Sequence, residues 1–148
     1  MIRMKKAGFE FREHTADVQV RSWGSSLEEA FSQAAYSLMA TITPNLKKIT
    51  PEVEKEITIE AEDIEALLFD FLSEFLYIFD VDELVFNQIN VSKIKKSNDN
   101  YKLHATLKGE RFDLNKHEIG IEVKAITYSF LNIEKTHGNF IIDIVFDI

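Results

Sequence analysis

The sequence predicts an α+β fold in which two main helices pack on a mostly antiparallel β-sheet, within one domain spanning residues 1–148. Three observations predict it. Period-2 alternation, as in Phe9 and Phe11 against Glu10 and Arg12, recurs along the chain and marks half-buried strands. Two segments switch to the 3.6-residue helical period. Later strand-like segments meet at tight turns, Ser97-Asn98-Asp99-Asn100 and His137-Gly138-Asn139. A chain of 148 residues, 45% hydrophobic, is long enough to bury roughly two-thirds of its unfolded surface without disulfides. No linker, repeat or low-complexity run divides it.

The elements follow in order. Phe9 to Arg12 and Val18 to Arg21 read as a strand or strand pair that Gly24 ends. Ser26-Leu27-Glu28-Glu29 has the form of a capping box, in which hydroxyl and carboxylate reciprocally satisfy free backbone donors. Leu27, Phe31, Ala34, Leu38 and Ile42 then keep helical spacing until Pro44 stops the helix. Asn45 to Pro51 is a loop, and Ile57-Thr58-Ile59 a short strand. Asp63 caps a second helix whose apolar residues leave only Asp70, Ser73, Glu74 and Tyr77 as a polar stripe, which predicts a central core helix. Leu84 to Ile94 and Tyr101 to Leu107 make a hairpin, Gly109 to His117 a polar connection, and Ile121 to Tyr128 with Phe140 to Ile148 a last strand pair.

Composition excludes several chemistries. With no Cys there is no disulfide framework, thiolate nucleophile or cysteine-type zinc site, which fits a reducing cytoplasm. No run reaches the roughly 18 apolar residues of a membrane span, so a soluble, unexported protein is expected. The excess of 25 acidic over 17 basic residues gives a net charge of −8, which opposes direct nucleic-acid binding. It favours a basic protein surface or a divalent cation as partner, or serves solubility alone. The glycines are too scattered for a phosphate loop or dinucleotide fingerprint, and the four histidines fall on four separate elements.

What remains is acidic. Phe146-Asp147-Ile148 sets a carboxylate beside the terminal carboxylate at the end of an apolar strand, and Asp17 lies within another expected strand. If these strands pair, an oxygen-only metal site is assembled, and hard oxygen donors favour calcium, magnesium or manganese over zinc. Asp147 also reads as a solvated charge guarding an edge strand, and Asp17 as a turn or cap residue. Lys124 reads either as a snorkelling side chain paired with an acid or as a cation aimed at phosphate.

Glu13-His14-Thr15-Ala16-Asp17, the segment Gly120 to Tyr128 containing Lys-Ala-Ile-Thr-Tyr, and the terminal Phe146-Asp147-Ile148 together resemble the archease family over nearly the whole chain. One departure is Ser129, where archeases often carry His. The resemblance implies a cytoplasmic accessory protein, not itself an enzyme, for the GTP-dependent RNA-splicing ligase of tRNA processing. It would promote transfer of GMP onto the ligase's active-site histidine and allow repeated turnover. The resemblance further implies a divalent-metal site, calcium first, with Asp17, Asp147 and the Ile148 carboxylate as ligands and Lys124 as a functional cation. A second role attributed to the family is chaperone-like control of the solubility and oligomeric state of a client such as a tRNA methyltransferase.

Overall fold

A computed structural model describes residues 6–12 and 17–148. Seven strands and two helices follow one another as β1 (Gly8–Arg12), β2 (Asp17–Gly24), α1 (Leu27–Ile42), β3 (Val53–Ala61), α2 (Ile64–Asp82), β4 (Leu84–Ser97), β5 (Asn100–Arg111), β6 (Ala125–Thr136) and β7 (Asn139–Asp147), with one short 3-10 turn at Leu46–Lys48. They form two antiparallel sheets, one ordered β1-β2-β7-β6 and the other β3-β5-β4. Helix α1 packs against β2 of the first sheet and β4 of the second; α2 packs against β6 and β3. The class is the α+β fold that the alternation and the two helical segments predict.

The helices start where their side chains can satisfy free backbone donors. Ser26 accepts the N–H of Glu29 through its hydroxyl, and Asp63 accepts that of Ala66 through its carboxylate. Only half of the expected capping box is realised, because the Glu29 carboxylate accepts from the Ser25 hydroxyl at 2.7 Å. Helix α2 ends in Glu83, whose left-handed φ of 58° lets its N–H reach the Phe79 carbonyl and turns the chain into β4. A line of rings then ties helix to helix to sheet. Phe31 of α1 stacks on Phe71 at 6.0 Å, Phe71 meets Phe75 edge-on at 5.1 Å, and Phe75 meets Phe86 of β4 at 6.0 Å. All four are fully buried, and each contributes on the order of 2–3 kcal/mol by area alone.

The structure departs from the sequence expectation in four places. Helix α1, not α2, is the more enclosed: ten of its residues are buried against six of α2, because Ala30, Ala34, Ala35 and Ser37 let neighbours approach from several sides. The short strand at Ile57 extends over the whole of Val53–Ala61 through its ladder with β5. Strand β5 runs through Gly109 to Arg111, so the polar connection is only the turn that follows; Gly109 is required there, since a Cβ would lie 1.8 Å from the Val85 carbonyl. Finally, β6 begins at Ala125 rather than Ile121, because the Gly120 and Ile121 N–H groups are spent on the Ile42 and Thr41 carbonyls at the end of α1. It also continues to Thr136.

One edge of the second sheet is closed by side chains. Along α1, Glu28, Ser32 and Tyr36 recur every four residues and accept the N–H groups of Ile94, Val91 and Ile89 at 3.1, 3.1 and 2.9 Å. These donors would otherwise invite another strand to pair.

Candidate functional site

Strands β2 and β7 pair with Asp17 opposite Asp147, Gln19 opposite Val145 and Arg21 opposite Asp143. Side chains two residues apart on a strand share a face, so all three rungs lie on the same outer side of the first sheet. Two of these rungs form an internal comparison. Arg21 and Asp143 are complementary: the guanidinium donates two hydrogen bonds to the carboxylate at 2.8 and 3.0 Å, and this bond with Asp143 holds the Arg21 pKa above its ordinary value. Four residues further along, Asp17 faces Asp147, a like-charged pair that a sheet disfavours. Asp147 is exposed, Asp17 half-buried.

On its other side Asp147 pairs with Ala125 of β6, and its carbonyl accepts the Lys124 N–H at 2.8 Å. Lys124 and Ile148 are therefore both within one residue of this rung. Alternation turns the Lys124 side chain away from the outer face, toward α2, where it borders a groove of about 480 Å³ with Leu76, Phe79 and Asp80. Of the first motif, Glu13, His14, Thr15 and Ala16 lie outside the described residues. Among the described residues no three His, Asp or Glu side chains gather as a metal cluster; the site there is a facing carboxylate pair. Two carboxylates are hard oxygen donors, and a divalent cation between them would relieve their repulsion, so the pair fits the calcium-type chemistry expected from sequence.

A second ionisable constellation was not foreseen. Glu110 is buried in β5, and its Oε2 accepts from the Thr50 N–H at 2.7 Å and from His117 Nε2 at 2.9 Å, while Lys116 reaches Oε1 at 3.0 Å. Burial by itself would push this carboxyl up, but the bonds from Lys116, Thr50 and His117 outweigh it and bring the pKa down to about 2. The other nitrogen of His117, Nδ1, accepts the Asp113 N–H at 2.9 Å, so Nε2 carries the proton given to Glu110. Both ring nitrogens are thus occupied, Nδ1 in closing the Asp113–His117 turn and Nε2 in tying that turn to Glu110 of β5. Only the spacing of a Glu and a His seven residues apart hints at this in sequence, and that spacing is not distinctive.

Residues 9–148 match the Archease protein family. The chain belongs to the archease family. An archease from Pyrococcus abyssi is 45% identical over 141 residues, covering 95% of this chain and 98% of that one, and an archease from Methanosarcina mazei is 38% identical over 140 residues, covering 95% of each. Among solved structures, protein 1598 of Methanobacterium thermoautotrophicum superposes with a TM-score of 0.81 at 31% identity over 95% of this chain and 99% of that one. An archease of Thermotoga maritima, described as a possible chaperone, gives 0.60 at 25% identity over the full length of both. The family's two-helix, antiparallel architecture is thus the one built here. No helix among the described residues is long and apolar enough to cross a membrane.

Proposed function

We propose that this archease is an accessory protein of a GTP-dependent RNA-splicing ligase, promoting ligase guanylylation and repeated turnover without itself carrying the reaction. The observation that supports this most is the Asp17–Asp147 rung, a like-charged pair in a sheet that elsewhere matches Arg21 with Asp143. Asp17, Asp147 and the carboxylate of Ile148 would hold a divalent cation, calcium or else magnesium or manganese. When bound, it would supply fixed positive charge for phosphate oxygens held by the partner. Asp147 stands on a rigid central strand, so its position is set by two ladders rather than by a loop. Lys124, whose N–H donates to the Asp147 carbonyl, is exposed on the opposite side, beside the groove along α2, and would offer its cation to a bound partner there. The reading also places the protein in the cytoplasm, with the ligase.

The test is guanylylation and multiple-turnover ligation by the cognate ligase with substoichiometric archease at controlled divalent-ion concentrations. Acceleration that Asp147→Asn abolishes supports the proposal; acceleration equal in both proteins removes the acidic site from it. A second reading is favoured by the description of the Thermotoga relative as a possible chaperone. In it the acidic body keeps a basic client such as a tRNA methyltransferase soluble, and changes at Asp17, Lys124 or Asp147 have little effect.

A further inference from the structure

The net charge of −8 is unevenly placed. The β4–β5 hairpin, residues 84–111, holds six of the 17 Lys and Arg but only two of the 25 acidic residues, Asp99 and the buried Glu110. Leu103, Ala105 and Leu107 of β5 turn inward and are buried, so Lys102, His104, Thr106 and Lys108 turn outward. On β4 a bulge decides which side chains join that outer face. Between Val91 opposite Ala105 and Lys93 opposite His104 stands one extra residue, Ser92, whose hydroxyl donates to the His104 carbonyl at 3.1 Å. Strict alternation from buried Val91 would turn Lys93 and Lys95 inward; the extra residue turns both outward, with Lys95 opposite Lys102.

Lysines on an edge strand ordinarily guard it against pairing. Here Glu28, Ser32 and Tyr36 of α1 already close the β4 edge, and Lys102 lies on the central strand, where there is no edge to guard. Lys95 opposite Lys102 is moreover a like-charged rung, which a sheet disfavours. His104 and Lys108 have Glu56 and Glu54 at 3.7 Å, but among the described residues no carboxylate lies within 4.0 Å of Lys93, Lys95 or Lys102. All three lysines are exposed. They rise from positions about 7 Å apart along β4 and about 5 Å across to β5.

We infer that Lys93, Lys95 and Lys102 form a docking surface for the phosphate backbone of RNA. That the polyanion is RNA rests on the ligase reading above; the phosphate contact does not. A protein interface needs a dry centre of aromatic and apolar side chains, from which Lys is depleted, and this face carries none. An anionic membrane would likewise find no apolar side chain here to take in. Phosphates need only unmatched point charges with hydroxyl and amide donors beside them, and Thr106, Asn90 and Gln88 continue the same face. Glu54, Glu56 and Glu60 along β3 repel phosphate and confine the RNA to the β4 side.

The experiment is fluorescence anisotropy of labelled oligouridine titrated with the full chain, without ligase, over a range of salt, with melting temperatures alongside. Each phosphate contact on a single strand contributes about 0.7 to the slope of log affinity against log salt. Lys93→Gln, Lys95→Gln and Lys102→Gln together should therefore reduce the slope by about 2 and weaken binding at low salt at least about tenfold. The melting temperature should hold or rise, since a like-charged rung is removed. Arg at the same three positions should preserve binding, and removing two exposed charges elsewhere, with Lys47→Gln and Lys48→Gln, should leave it unchanged. Wild-type affinity in the triple Gln variant, or an equal loss in the Lys47 and Lys48 variant, overturns the inference. So does absence of RNA binding by wild-type protein, which leaves the ligase reading standing because guanylylation tests that separately. Binding to phosphatidylserine vesicles but not RNA makes a membrane the occupant, and a salt-sensitive dimer lost in the triple variant makes it the β3 glutamates of a second copy; both overturn it. RNA binding lost with the three lysines supports the surface even where the ligase is not stimulated.

Discussion

The facing carboxylates make a prediction in which stability and function move in opposite directions. Directly opposed residues in an antiparallel pair have Cβ atoms roughly 5 Å apart, and two unit charges at that distance repel by about 0.8 kcal/mol in a water-like dielectric and more where water is excluded. Because Asp147 is exposed, the lower figure applies. In EDTA, Asp147→Asn should therefore stabilise the protein by about 0.5–1 kcal/mol, raising the melting temperature of a domain of this size by about 2–3 °C. Calcium at a hundredfold its dissociation constant should stabilise wild-type protein by about 2.7 kcal/mol. In the variant that increment should disappear. The assay is thermal unfolding of both proteins, with EDTA and across a calcium titration. A variant that melts below wild type in EDTA would show that the rung is already stable without a cation, and equal calcium shifts in the two proteins would place the cation elsewhere; either refutes the reasoning.

Other expectations concern residues outside that rung. Glu110→Gln puts an amide N–H₂ among donors from Thr50, Lys116 and His117, and should destabilise by about 2 kcal/mol at pH 7, a value discounted for the half-exposed Lys116. The sign of its pH dependence is fixed. With the folded pKa at about 2, below the ordinary 4.5, the stabilisation is present above about pH 4.5 and lost as pH falls toward 2, so the gap between wild type and variant in urea unfolding should close on acidification. Gly109→Ala sets a Cβ 1.8 Å from the Val85 carbonyl, a backbone atom that cannot step aside, and should cost more than about 2 kcal/mol in the same assay. Lys124→Ala should leave the melting temperature nearly unchanged, since the residue is exposed, while ligase stimulation falls and Lys124→Arg restores part of it.

What the sequence made legible is local. Ser26 and Asp63 announce both helices because a cap is a contact over three residues, and alternation announces β5 because Leu103, Ala105 and Leu107 face the core in turn. Strand ends were less readable, since they depend on where backbone donors go: Gly120 and Ile121 look like strand residues until the end of α1 takes their N–H groups. The Glu110 cluster was hidden for a related reason, as its acceptor bonds join Thr50 to a residue 60 positions away. Nothing in Tyr128-Ser129-Phe130-Leu131 signals a bulge, because the left-handed position is filled by Phe where Gly or Asn would have marked it. Asp17 and Asp147 were named together through family resemblance, and only the register of β2 on β7 sets them on one rung.

The two ionisable constellations differ in what they leave available. Around Glu110, both carboxylate oxygens accept, Lys116 also bonds the Thr50 hydroxyl, and His117 uses one nitrogen as donor and the other as acceptor. A general base must have a lone pair free for a proton, and His117 gives its lone pair to the Asp113 N–H; the dyad that resembles acid–base machinery is committed to holding a turn. At the end of the first sheet the relation is reversed. Asp147 is fixed through its backbone on both sides by β2 and by β6, while its carboxylate is exposed opposite another acid. Rigid backbone with unspent charge is the arrangement that a ligand site requires and a folding contact does not. The same logic extends to Phe130, whose ring is held outward at the cost of a strained φ. In both places the fold fixes a group's position without spending its side chain on a folding contact.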